Sequence, residues 1–464
     1  MLMRPTCLFI ISAVICLLPA LSPTRAASQP QPSADLSAEP LVNLLSLLTH
    51  RDDKQRRAAF RELDRRKDRR AVPGLIEVMR VRKPEPDGEI EILLRKLTGR
   101  NLGPNWTKWH EWLTSQERVE LPPHFLEWKA ALFGRLIDPA FGKFLYAGVP
   151  LRIRIEEIVW GGVKKDGIPA LDNPKMIKAG EADYLDNQDL VFGVRINGDA
   201  RAYPLRIMDS HEMLNDVVGG QPVSLAYCTL CRSGILFDPK VGDRTFTFGS
   251  SGLLYRSNKL MYDRETQSLW ATIPGEPVGG ELARSGIKLK RLPVVVTTWQ
   301  GWRDQHPKTL VLSLDTGFDR DYRPGAAYGE YFASPDLMFP APRLDDRLKP
   351  KEEVFAIIVN GQPKAYALKK LRQNVVVNDE LGGEKVVVIT DARTSAVRAY
   401  LRGEHSFQSR RGAGAVVAAD GAVWSVTEAA LVNQADGRPL ARLAGHLAYW
   451  FGWASFYPQT QLYR

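Results

Sequence analysis

The residues best able to do chemistry are few. Of four cysteines, Cys7 and Cys16 fall in an apolar leader, and the remaining pair is Cys228 and Cys231. Their C-x-x-C spacing lets one turn aim two thiols at a common point. Such a pair can hold a soft metal ion, close into a disulfide, exchange with another disulfide or stay as buried thiols. His211 precedes the pair and could add a nitrogen. Two sulfurs and one nitrogen suit copper or zinc. Glu212 and Asp263 are candidate acid–base groups or supports behind the ligands, and Arg264 is a candidate anion contact, with structural ion pairing the alternative for Asp263 and Arg264. Arg232 occupies the place a histidine would need for haem attachment.

The leader sets the compartment. Arg4 precedes an apolar run from Cys7 to Leu21, and small residues close it near Ala26 and Ala27. That is the pattern of a signal peptide over 1–27, too short for a spanning helix. The expectation is an exported, periplasmic protein with no transmembrane span in the mature chain. The net charge of +10 is spread along the chain, with a denser stretch at Arg51–Arg70 that also carries acids. Solvated helix faces explain it, and no nucleic-acid partner is expected. P-loop, dinucleotide-binding and Gly-x-Ser-x-Gly signatures are lacking. The partner is left as a small molecule or a protein.

The positioning elements follow. A Ser/Pro/Gln-rich linker covers 28–38, and 39–115 reads as helices. Ala71-Val-Pro-Gly-Leu-Ile-Glu-Val-Met79 resembles the opening phrase of a HEAT-type repeat. So short an array cannot bury its apolar faces alone and must pack on a neighbour. Trp106, Trp109 and Trp112 share a helical face and read as core. Residues 116–188 connect this segment to a strand-rich region and contain one further helix.

That region is duplicated. Aligning 191–223 with 354–386 needs no gap, and 12 of 33 positions are identical, far above chance. Trp299-Gln-Gly-Trp302 near the end of one copy matches Trp450-Phe-Gly-Trp453 in the other. The copies span 189–313 and 352–464, joined by a linker over 314–351. Shared residues such as Asn215-Asp216 with Asn378-Asp379 should be scaffold. If the register continues, Cys228 faces Asp391, Cys231 faces Thr394 and His211 faces Asn374, so only the first copy keeps the site.

Gly161-Gly162, Asp166-Gly-Ile-Pro-Ala-Leu171, Ala202-Tyr-Pro-Leu205, His211-Glu212, Tyr227-Cys228, Cys231, Met261-Tyr-Asp-Arg264 and Ser268-Leu-Trp270 resemble the bacterial DUF3179 family over roughly residues 150–464. The family usually has Cys-Pro-Leu-Cys-Gly, whereas Thr229 and Arg232 stand here for Pro and Gly. The resemblance implies a family and no activity.

The expected fold class is α+β, a helical segment followed by a duplicated, mostly antiparallel β region. Three functions are in view: a copper or zinc protein using His211, Cys228 and Cys231, with metalloenzyme activity left open; a thiol–disulfide redox protein; and a non-enzymatic scaffold.

Overall fold

The computed structural model describes residues 36–82, 88–341, 344–410 and 414–464. The expected signal peptide and most of the 28–38 linker lie outside them.

Six α-helices come first: α1 (Leu41–Leu47), α2 (Asp53–Arg66), α3 (Val72–Val81), α4 (Gly88–Thr98), α5 (Trp106–Ser115) and α6 (Phe125–Leu136). Asp52 caps α2 by accepting from the Lys54 amide, and Pro73 sits in the first turn of α3, where no amide partner is needed. The basic stretch is a solvated face, with Asp53 and Glu62 pairing to arginines three and four residues on. The helices do not close a core of their own. Their apolar faces join Ile158, Leu253, Leu260 and Leu269 in one cluster with the adjoining sheet. Lys129 on α6, fully buried, bonds Glu77 on α3 at 2.5 Å and the carbonyls of Ile155 and Ile158. Of the three tryptophans, Trp109 is fully buried, while Trp106 stacks on the Arg80 guanidinium.

The rest is β-rich, so the molecule is α+β. A sheet of strands 158–160, 248–255, 258–263, 269–271 and 276–279 receives the helices. Beyond it the duplication is visible in strand order. Strands 295–298, 190–196, 199–204 and 310–312 lie side by side in that order, and so do 445–449, 353–359, 362–367 and 461–463. Both sets are antiparallel except for the last pair, which is parallel. Each set contains a helix from the Trp-x-Gly-Trp phrase, Trp299–Gln305 and Trp450–Phe456.

Residues shared by the copies are scaffold. Asn197-Gly198 and Asn360-Gly361 both take the positive φ pairs of a tight hairpin turn. Each asparagine amide donates to a glycine carbonyl, Gly219 or Gly382, at 2.9 Å. Tyr203 donates to Asp216 at 2.7 Å, and Tyr366 to Asp379 at 2.8 Å. Asn215 staples the backbone of Phe248 through both amide atoms, and Asn378 does the same to Phe407.

The copies pack on each other reciprocally. A Cβ placed on Gly452 would lie 2.5 Å from the Cys231 Cβ, and one on Gly301 would lie 2.5 Å from the Thr394 Cγ2. These are equivalent positions seen from the two sides. The pairing has the form of a twofold dimer contained in one chain.

Candidate thiol site

Strand Gln221–Cys228 runs into a turn and returns as Ser233–Asp238, with Cys228 opposite Ser233. The second copy has the same turn. There Thr390 pairs Val397, the Asp391 amide bonds the Ala396 carbonyl, and Ser395 takes the positive φ that Arg232 takes in the first copy. Cys228 therefore faces Asp391, and Cys231 faces Thr394, as the ungapped register requires. Arg232 stands in a left-handed conformation that glycine adopts without strain, so the chain departs from the family pattern and keeps the turn.

Both cysteines are free thiols and fully buried. They are not equivalent. Cys231 Sγ receives the Asn258 Nδ2 amide at 2.9 Å and lies 3.1 Å from the Ser233 hydroxyl. Burial pushes the Cys231 thiol up, but hydrogen bonds from Cys228, Ser233 and Asn258 outweigh it and hold it below the ordinary thiol value. Burial and the bond to Cys231 push Cys228 well up. The two shifts run in opposite directions because Cys228 S–H donates to Cys231 Sγ. Lys259, buried beside Glu212, donates to the Glu212 carbonyl; burial lowers its pKa, and attraction to Glu212 and both sulfurs opposes that shift.

His211 is placed differently from the expectation. It ends the helix Leu205–His211, and both ring nitrogens are engaged away from the thiols. Nδ1 meets the Pro169 carbonyl at 2.8 Å, which fixes the proton there, and Nε2 accepts from the Tyr322 hydroxyl at 2.6 Å. Burial lowers its pKa, so the ring stays neutral. Among the described residues no group of three or more His, Cys, Asp or Glu side chains is placed to hold a metal ion. In the described structure the two sulfurs meet, and both His211 ring nitrogens are bonded to other groups.

Glu212 does join the site. It takes a left-handed conformation after the helix, and its carboxylate accepts from Thr229 inside the cysteine turn at 2.6 Å. Asp263 and Arg264 do not. Asp263 holds its own turn, accepting from the Thr266 amide at 2.5 Å and the Trp270 indole at 2.8 Å, and Arg264 pairs Asp172 at 2.8 Å. Asn258, Lys259 and Ser233 escaped the sequence reading. The one signal was a lysine in a strand that goes on through Leu260, Met261 and Tyr262.

The site is covered. Gly452 lies on Cys231, and the Tyr449 amide donates to the Cys231 carbonyl at 2.7 Å. From the 314–351 linker, Tyr331 donates to the Leu230 carbonyl at 2.6 Å. Lys351 clamps this cover, with its ammonium 3.7 Å from the Tyr331 ring centroid and bonded to the carbonyls of Tyr331 and Ser334.

A buried, polarised dithiol on a strand–turn–strand, inside a duplicated β scaffold, defines the class. The family described as "Protein of unknown function (DUF3179)" matches residues 165–460, and the chain belongs to it. No curated protein and no solved structure matches the chain. No helix among the described residues is long and apolar enough to cross a membrane.

Proposed function

We infer that the protein is a thiol–disulfide redox protein in which Cys228 and Cys231 cycle between dithiol and disulfide. The observation that carries this is the asymmetry of the pair: Cys231 Sγ receives the Asn258 amide and contacts the Ser233 hydroxyl, and its thiol is held below the ordinary value while that of Cys228 is pushed up. A thiolate is the form that attacks disulfides. The Cys231 thiolate attacks a partner disulfide, forming a mixed disulfide and expelling a partner thiolate. Cys228 loses its proton to that leaving thiolate and attacks the Cys231 sulfur, expelling the second partner thiolate. Two protein thiols are oxidised and one partner disulfide is reduced. Export, the compartment expected from the leader, would supply disulfide partners.

Burial limits access, so exchange requires the Tyr331 cover to lift or a small reactant to enter. Lys259 also favours this reading over a metal: against the lowering by burial, its charged form and a thiolate stabilise each other, and that same charge opposes a cation.

The test is equilibration of the purified protein in glutathione buffers, with acid quenching and alkylation, beside metal content measured on the same sample. A reversible Cys228–Cys231 disulfide with no bound metal is expected. In a Cys228→Ser background, Asn258→Ala should shift the pH midpoint of Cys231 alkylation upward. Thiols that never oxidise, or stoichiometric zinc or copper lost in Cys228→Ser, would overturn the reading.

A further inference from the structure

Residues of both copies line a cavity of about 370 Å³. Several of its lining residues are equivalent positions taken from both sides. Leu205 of the first copy faces in with Leu368 of the second, Val296 with Leu447, and Arg232 with Ser395. An interior of this size, with aliphatic and aromatic side chains beside polar and charged ones, is of the kind that holds a small amphipathic molecule.

The symmetry is broken by charge. Arg232, Arg372 and Arg393 line the cavity against a single carboxylate, Glu353. Arg232 pairs that carboxylate at 3.6 Å, and Arg393 is 3.6 Å from Asp391. Arg372 uses its Nε on the Ser395 hydroxyl at 3.1 Å and has no carboxylate partner among the described residues. Arg372 and Arg393 are exposed, so this positive charge sits at the mouth while the apolar surface lies within. A guanidinium with its outer nitrogens free is matched by a carboxylate, which accepts two parallel bonds from it.

We propose that this cavity binds a small organic carboxylate, with its head on Arg372 at the mouth and its apolar body between Leu205, Leu368, Val296 and Leu447. The second copy's turn, Asp391–Ser395, supplies one wall, while Tyr227 and Arg232 bring the other wall up to the two ends of the cysteine turn. The duplicated turn thus has two uses: thiols in the first copy and a binding wall in the second. The site stands whether or not the thiols cycle.

Decanoate is the probe, titrated calorimetrically into the full-length protein below its micelle concentration, beside the neutral decanol. One saturable site is expected, with decanoate at least roughly ten-fold tighter than decanol, equivalent to ~1.4 kcal/mol. Arg372→Gln should weaken decanoate about ten-fold and leave decanol unchanged. Arg372→Lys should recover part of the loss. The Cys228→Ser, Cys231→Ser double variant should bind decanoate as the parent does, which separates this site from the thiol reading. Equal binding of decanoate and decanol, an unaffected Arg372→Gln, or no saturable site would overturn the proposal.

Discussion

Gly452 lies directly against Cys231, so the cysteine turn of one copy is sealed by a helix of the other. The equivalent contact, Gly301 against Thr394, shows that this closeness belongs to the scaffold and was in place for both copies. Only the first copy buries the turn completely: Cys228 and Cys231 are fully buried, whereas the equivalent Asp391 and Thr394 are half-buried.

A methyl group at that contact has nowhere to go. Gly452→Ala and Gly301→Ala should each destabilise the protein by about 1–3 kcal/mol through overpacking. Gly180→Ala, where a Cβ meets nothing within 4 Å, is the control. Urea melts of the three variants decide it, and equal midpoints would refute the packing argument.

Access to the thiols should depend on the linker clamp. Lys351→Ala removes a cation from the Tyr331 ring and its bonds to two carbonyls. Local opening then becomes easier, and native-state alkylation of the cysteines should accelerate roughly ten-fold, the factor given by ~1.4 kcal/mol. An unchanged rate would mean that the cover opens elsewhere.

Asp209 should impose a pH dependence on stability. Burial raises its pKa to about 7, against the opposing effect of the hydrogen bond from Tyr227 at 3.0 Å. The folded state therefore holds a proton that the unfolded state releases near pH 4. Stability falls as pH rises from about 4 through 7, then levels off. Asp209→Asn should remove this part of the slope. The difference between parent and variant urea midpoints at pH 5 and pH 8 isolates it from the opposite trend of the Cys231 thiol. Parallel profiles would exclude the assignment.

The residues shared by both copies should matter for stability alone. Asn378→Ala strips two backbone bonds from Phe407, each 2.8 Å, and should cost about 2 kcal/mol. The Cys228–Cys231 redox equilibrium should not move. A shifted redox midpoint would show that this asparagine does more than staple strands.

Much of the architecture was legible because it rests on local signals. The Asn-Gly pairs dictate tight hairpins, since few other residues take two successive positive φ angles. The repeat itself exposed the scaffold and, by contrast, the one turn that carries thiols. The α+β class and the inability of the helices to bury themselves also followed from pattern alone.

The partners of those thiols were decided only in three dimensions. His211 looked like a ligand because it is a histidine near two cysteines in sequence. The fold instead carries its ring to Pro169 and Tyr322, groups far apart along the chain. Asn258 and Lys259 reach the cysteine turn from the neighbouring sheet, and Gly452 and Tyr331 close it from the second copy and the linker. Sequence spacing determines which residues share a turn or a strand face. It carries no information on which remote backbone will donate to a buried sulfur, because that depends on how separate sheets settle against one another to fill a common core.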